Sequence, residues 1–143
     1  MNYKDYIFPV GRLDKESEGL IIMTNDGDLA NKILESENEH EKEYVVKLDK
    51  PFDEEFIENM SNGVDIGYRE KTRPCKVTRL SDDTFNIVLT QGLNRQIRKM
   101  SGAFGYKVTK LKRIRIMNIN LDDLDTGKFR YLTLEEVQKL RES

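Results

Sequence analysis

Apolar and polar positions alternate cleanly in two stretches. From Glu43 to Asp49 the residues Tyr44, Val46 and Leu48 fall on one face, and from Thr84 to Thr90 the residues Phe85, Ile87 and Leu89 do the same. A period of two is that of a half-buried strand. Lys76–Leu80 and Thr84–Thr90 flank Ser81-Asp82-Asp83, which predicts an antiparallel hairpin. Gly19 to Thr24 reads instead as one buried strand, closed by the turn residues Asn25-Asp26-Gly27. Pro9 to Asp14 is a short extended segment entering a turn, so Asp14 is expected in a loop between strands.

Helical spacing appears four times. Leu29, Ala30, Ile33 and Leu34 follow Asp26 and Asp28, either of which can cap, in a helix expected to end before Asn38. Phe56, Ile57 and Met60 follow Pro51-Phe52-Asp53. Ile97, Met100 and Phe104 share a face behind Asn94 as a candidate cap, with Gly105 placed to stop the helix and Arg95, Arg98 and Lys99 riding on it. The tail predicts strands over Val108–Ile116 and Lys128–Leu132, then a helix capped by Thr133 with Glu136 at capping-box spacing. Local strand pairs interrupted by helices, without a regular parallel βαβ rhythm, point to an α+β fold: a mainly antiparallel mixed sheet flanked by helices.

Length sets the number of units. A chain of 143 residues fits a single domain, 1–143. With 37% hydrophobic and 35% charged residues it has the make-up of a folded, strongly charged protein. No apolar run approaches the roughly 20 residues that cross a bilayer, and the segment Met1–Tyr6 carries an acid and no apolar core, unlike a signal peptide. A cytoplasmic protein without membrane contact is expected.

Net charge is only -2, but its distribution is uneven. From Gly92 to Arg115 every charged residue is basic: Arg95, Arg98, Lys99, Lys107, Lys110, Lys112, Arg113 and Arg115. Acids gather at Glu35, Glu37, Glu39, Glu41 and Glu43, and again at Asp53, Glu54, Glu55 and Glu58. One cationic and one anionic face are expected, and a cationic face suits a polyanion.

Two residues are set aside. His40, the one histidine, reads as a solvated loop residue, and Cys75 beside Pro74 as a half-buried small residue that can form no internal disulfide. Metal-ligand spacing is absent, so no metal is expected.

Three segments together carry a resemblance. They are Gly11-Arg12-Leu13-Asp14-Lys15-Glu16-Ser17-Glu18-Gly19-Leu20 running through Thr24-Asn25-Asp26-Gly27-Asp28-Leu29, then Lys42-Glu43-Tyr44-Val45-Val46, then Gly92-Leu93-Asn94-Arg95-Gln96-Ile97-Arg98-Lys99-Met100. In order and spacing they resemble the RsuA/RluB/RluE/RluF group of pseudouridine synthases, which modify ribosomal RNA. With His40–Tyr44 and Arg113–Asn118 included, the likeness is greatest to the F branch and covers nearly the whole chain. Members of this group usually carry a small N-terminal RNA-binding domain of the S4 type. Here the motif begins at Gly11, so the chain reads as a catalytic domain without it.

The resemblance implies an isomerase that breaks the ribose C1′–N1 bond of a uridine and rejoins the base through C5, with no cofactor. It gives Asp14 the central role, as nucleophile at C1′ or as base at the ribose. It makes Tyr44 the aromatic that stacks on the base, and Arg98 the cation that offsets the desolvation of a carboxylate closed over uracil. RNA contact falls to Asn94, Arg95, Gln96, Lys99, Lys110, Lys112, Arg113 and Arg115, and Arg12 is placed to fill the space left by a flipped base. Large-subunit (23S) rRNA is the expected partner, with tRNA or small-subunit rRNA as alternatives, and the protein is expected to be a monomer.

Other chemistries fit less well. A module that only binds RNA gains nothing from an acid set among Arg12, Lys15 and Arg98. Ordinary glycosidases need two carboxylates, and serine or cysteine hydrolases need a placed histidine.

Overall fold

The computed structural model describes residues 7–34 and 40–142. Met1–Tyr6 and three acids of the first acidic run, Glu35, Glu37 and Glu39, lie outside them. In chain order the elements are β1 (Phe8–Val10), β2 (Glu18–Gly19), β3 (Ile22–Thr24), α1 (Gly27–Leu34), β4 (Lys42–Leu48), α2 (Glu54–Ser61), β5 (Lys76–Arg79), β6 (Thr84–Leu89), α3 (Gln96–Ala103), β7 (Val108–Ile116), β8 (Ile119–Asn120) and α4 (Leu134–Glu142).

The main sheet runs β2-β7-β4-β6-β5, with β8 paired to β7. Its pairs are antiparallel except β2 with β7, so the sheet is mixed and mainly antiparallel, as the strand pattern predicts. β1 and β3 form a separate antiparallel ribbon. No helix among the described residues is long and apolar enough to cross a membrane.

Register decides which face each strand residue occupies. Val77, Ile87, Tyr44 and Arg113 form one row across β5, β6, β4 and β7, and Phe85, Val46 and Leu111 the next. That face is covered by α2 and α3 through Phe56, Met60, Ile97 and Met100. Phe56 anchors the layer, with ring centroids 5.1 Å from Phe52 and 4.7 Å from Tyr106. The other face carries Lys47, Lys76, Thr78 and Lys110, all exposed. A second core joins the β1–β3 ribbon, α1, α4 and the end of β7 through Val10, Ile22, Ile33, Ile116 and Leu140.

The termini of the helices follow local chemistry. Asp53 caps α2 by accepting from the Phe56 amide at 3.0 Å, and Asp26 accepts from the amides of Asp28 and Leu29 at the start of α1. Thr133 and Glu136 exchange the two bonds of a capping box.

Four expectations are corrected. The Gly19–Thr24 run is divided between strands of different sheets, with Ile21 and Met23 each 40% exposed and Leu20 and Ile22 buried. Lys128–Leu132 is not a strand. Asn94 does not cap α3; that position is held by Arg95, in a left-handed conformation (φ 51°) with no side-chain cap. Leu34 and Phe104, expected on buried faces, are exposed.

Candidate active site

Gly19 fixes the loop that carries Asp14. Its φ of +119° lies where side-chain-bearing residues are strained, and a Cβ there would collide with the backbone carbonyl of Arg113. Glycine therefore lets β2 lie directly against β7, where Leu20 N donates to Arg113 O at 2.9 Å. Upstream, Ser17 N donates to Asp14 O at 2.9 Å and closes the turn that presents the carboxylate.

Between the two cores lies a cleft of about 730 Å³. Its lining includes Asp14 and Tyr44, and the cations Arg12, Lys15, Lys42, Arg73, Arg95, Arg98 and Arg113. Asp14 is the one carboxylate among those lining residues. A concavity with seven cations and one acid is suited to a polyanion on which an acid has work to do.

Two guanidiniums attend that acid. Arg95 Nη1 lies 3.7 Å and Arg98 Nε 3.9 Å from Asp14 Oδ2. Both are ion-pair distances beyond hydrogen-bond length, so the carboxylate is held electrostatically while its oxygens stay open to the cleft. Arg98 is steadied by a bond from Nη2 to Ser17 Oγ at 3.2 Å, and its buried Nε meets no acceptor among the described residues. Arg95 also donates to Glu16 at 3.0 Å, and that bond holds the Glu16 carboxyl below its ordinary range. The structure thus brings Arg95, expected at the RNA surface, as close to Asp14 as Arg98.

A family model described as RNA pseudouridylate synthase matches residues 2–103. The chain belongs to this pseudouridylate synthase family. It is 53% identical over 137 residues to the dual-specificity RNA pseudouridine synthase RluF of Escherichia coli K12, covering 96% of this chain and 47% of that protein. To the ribosomal large subunit pseudouridine synthase B of Bacillus subtilis it is 38% identical over 146 residues, covering 98% of this chain and 59% of the relative. Among solved structures, a pseudouridylate synthase superposes with a TM-score of 0.90 at 34% identity, over 94% of this chain and 59% of that one. The chain therefore spans about half the length of the curated relatives it matches.

Within this pseudouridylate synthase fold, the residues expected to touch RNA divide into distinct places. Arg12, Asn94 and Arg95 are exposed and line the cleft. Gln96 also lines the cleft but is buried, accepting from Leu93 N at 3.3 Å and donating to Gln91, so it shapes the start of α3. Lys99 is exposed outside the lining, 5.5 Å above the Tyr68 ring. Lys110 and Lys112 sit on the sheet face opposite Tyr44, where Lys110 pairs with Glu18 at 3.5 Å.

Arg115 is already occupied: Nε donates to Glu43 at 2.7 Å, Nη2 to Glu41 at 3.0 Å and Nη1 to Met117 O at 2.7 Å. The bond from Arg115 in turn holds the Glu43 carboxyl below its ordinary range. Arg113 is 4% exposed and donates from Nε to Leu20 O at 2.8 Å, which removes it from any surface phosphate. A register shift between Glu43 and Tyr44 explains the split: Arg115 pairs with Glu43 on one face and Arg113 with Tyr44 on the other.

His40 is also corrected. It is 9% exposed, with Nδ1 3.2 Å from Ile33 O, and is a buried member of the cleft wall. Cys75 is half-buried as expected, and burial pushes its thiol up to about 11, so it is a poor nucleophile. Lys42, Lys15 and Arg73 also line the cleft; Lys42 and Lys15 lie in the motif segments without an assigned role, and Arg73 lies outside them. For Lys42 the signal was available, since it stands two residues before Tyr44 on an alternating strand and shares its face.

Proposed function

We propose that the chain converts a uridine in RNA to pseudouridine, with Asp14 acting at the ribose. The observation that carries this is the single carboxylate held by Arg95 and Arg98 in an otherwise cationic cleft, in a chain of this family. Either attack on C1′ or proton removal from the ribose requires a carboxylate whose oxygens are not consumed by hydrogen bonds, and those of Asp14 are unconsumed among the described residues. Tyr44, on the cleft face of β4, supplies the ring on which the flipped base stacks.

The target nucleotide leaves its stack, at a cost of a few kcal/mol, to reach this carboxylate. Arg12, Lys15, Asn94 and Arg95 at the exposed parts of the cleft hold the flanking backbone. The reaction conserves every atom and electron of the nucleotide, so the proposal includes no cofactor. Large-subunit rRNA is the substrate we favour, by extension from relatives named for RNA dual specificity and for the large ribosomal subunit. The protein acts as a cytoplasmic monomer in this reading.

The test offers the purified chain large-subunit rRNA, small-subunit rRNA and tRNA transcripts separately and quantifies pseudouridine after digestion to nucleosides. Product in the large-subunit transcript supports the reading in full. Product only in another RNA moves the substrate, and binding without product in any of them favours a non-catalytic RNA-binding module.

A further inference from the structure

Arg113 is a cation of the cleft with no ion-pair partner among the described residues. It comes from the row Val77, Ile87, Tyr44, Arg113 on the core side of the sheet, so it lies beside the ring assigned to the base. Nε is committed to Leu20 O, whereas the buried Nη2 meets no acceptor among the described residues. Lys42 occupies the same face of β4, two residues from Tyr44, and also lines the cleft. Burial first, and then the charge of Arg113, hold its ammonium below its ordinary pKa. The cleft's one acid, Asp14, is paired with Arg95 and Arg98 instead. Among the described residues these two neighbouring cations, one buried and one half-buried, meet no anion, an arrangement that is unfavourable unless a ligand supplies the negative charge.

Depth indicates which part of a nucleotide does so. The two phosphates flanking a flipped nucleotide must leave the cleft with the chain, so they stay near its mouth. The base travels deepest and reaches a cation that is 4% exposed. In the reaction proposed above, the C1′–N1 bond breaks with its electron pair going to uracil N1, and the negative charge spreads over O2 and O4. C5 then attacks C1′, that pair forms the new C–C bond, the C5 proton leaves to a base and N1 takes up a proton. Uracil carries the charge while it is detached, and again only between loss of the C5 proton and protonation of N1; neither stage exists in bound uridine, in either role of Asp14.

We propose, resting on that reading, that Arg113 and Lys42 form an anion hole for the detached uracil. Fixed cations aimed where charge develops favour that stage over bound uridine, so they act on turnover more than on RNA affinity.

The test compares single-turnover rates on large-subunit rRNA transcribed with uridine or with 5-fluorouridine, as loss of each parent nucleoside after digestion; with fluorine at C5 no proton leaves there, and the rejoined base takes up water across N1 and C6 instead. Fluorine withdraws electrons and makes the departing base a more stable anion, so it relieves dependence on the hole. Lys42→Met and Arg113→Met are expected to slow uridine conversion by about 10²–10³-fold with RNA affinity retained. Their loss on 5-fluorouridine is expected to be at least several-fold smaller, and Arg113→Lys to fall between Arg113→Met and wild type. Equal losses on both substrates, or wild-type rates in both methionine variants, overturn the anion hole. Among the described residues Lys42 makes no bond of the kind Arg113 makes to Leu20, so Lys42→Met keeps the test intact where Arg113→Met fails to fold. A wild type that converts neither RNA defeats the proposed reaction itself, a result separable from wild-type turnover with substrate-independent variants.

Discussion

Replacing Gly19 with alanine separates the scaffold from the chemistry. At φ +119° an alanine sits in a region essentially reserved for glycine, at about 1–3 kcal/mol. Its Cβ would also meet the backbone of Arg113, which no side-chain rotation relieves, so β2 must part from β7. Losing the Leu20 N to Arg113 O bond adds about 0.5–1.5 kcal/mol. The total, about 1.5–4.5 kcal/mol, corresponds to a fall in Tm on the order of 10 °C for a domain of this size. The effect on turnover is expected to be greater, because the same strand anchors the turn that presents Asp14. A displacement of about 1 Å in a reacting group costs on the order of 100-fold. Thermal melting and single-turnover pseudouridine formation on one preparation, assayed well below its Tm, measure the two effects. Wild-type melting and wild-type rate in Gly19→Ala would refute the claim that this close approach holds the site together.

Arg12→Ala combined with Lys15→Ala, at the cleft, is expected to flatten the salt dependence of RNA binding by roughly 1.5 in log–log slope, two phosphate contacts' worth. Lys110→Ala with Lys112→Ala, on the opposite sheet face, is expected to change it little; the reverse ranking in filter-binding titrations would put RNA on the other face. Glu136 bonds Arg130 at 2.8 Å and the Thr133 amide at 2.9 Å, and the Arg130 bond first among these lowers its carboxyl from 4.5 to about 2. The folded form releases this proton more readily than the unfolded chain, so the stabilisation is complete above about 4.5 and disappears as pH falls through about 2. Solvent screening of this accessible pair limits it to about 1 kcal/mol. Amide exchange in α4 should accelerate over that window in wild type and lose this acid dependence in Glu136→Gln.

Elements governed by local chemistry were legible in the sequence. The capping box at Thr133 and Glu136 and the start of α2 after Pro51-Phe52-Asp53 depend on residues within one or two turns of one another, and the apolar spacing of Val108–Ile116 marks its strand. Asp14, Tyr44 and Arg98 came from motif likeness, and the structure places all three on one cleft. What escaped was set by long-range register. The basic run on β7 looks like a surface stripe, yet the irregularity opposite Glu43 and Tyr44 sends Arg113 inward and Arg115 outward to acids 72 and 74 residues away in sequence. Arg95 looked like one more helical cation, yet it stands at the cap of α3 with a left-handed backbone and pairs with Asp14. Gly19–Thr24 looked like one strand because an apolar run does not reveal that its halves pair with different sheets.

The reaction assigned to Asp14 is tested most directly by release of tritium from uracil C5. Large-subunit rRNA carrying tritium at that position is incubated with the wild-type chain and with Asp14→Asn, and the label reaching water is counted. Only rejoining through C5 sets it free. The account predicts release by the wild type and none by Asp14→Asn, with fold and RNA binding of the variant retained. Release by Asp14→Asn near the wild-type rate would contradict it.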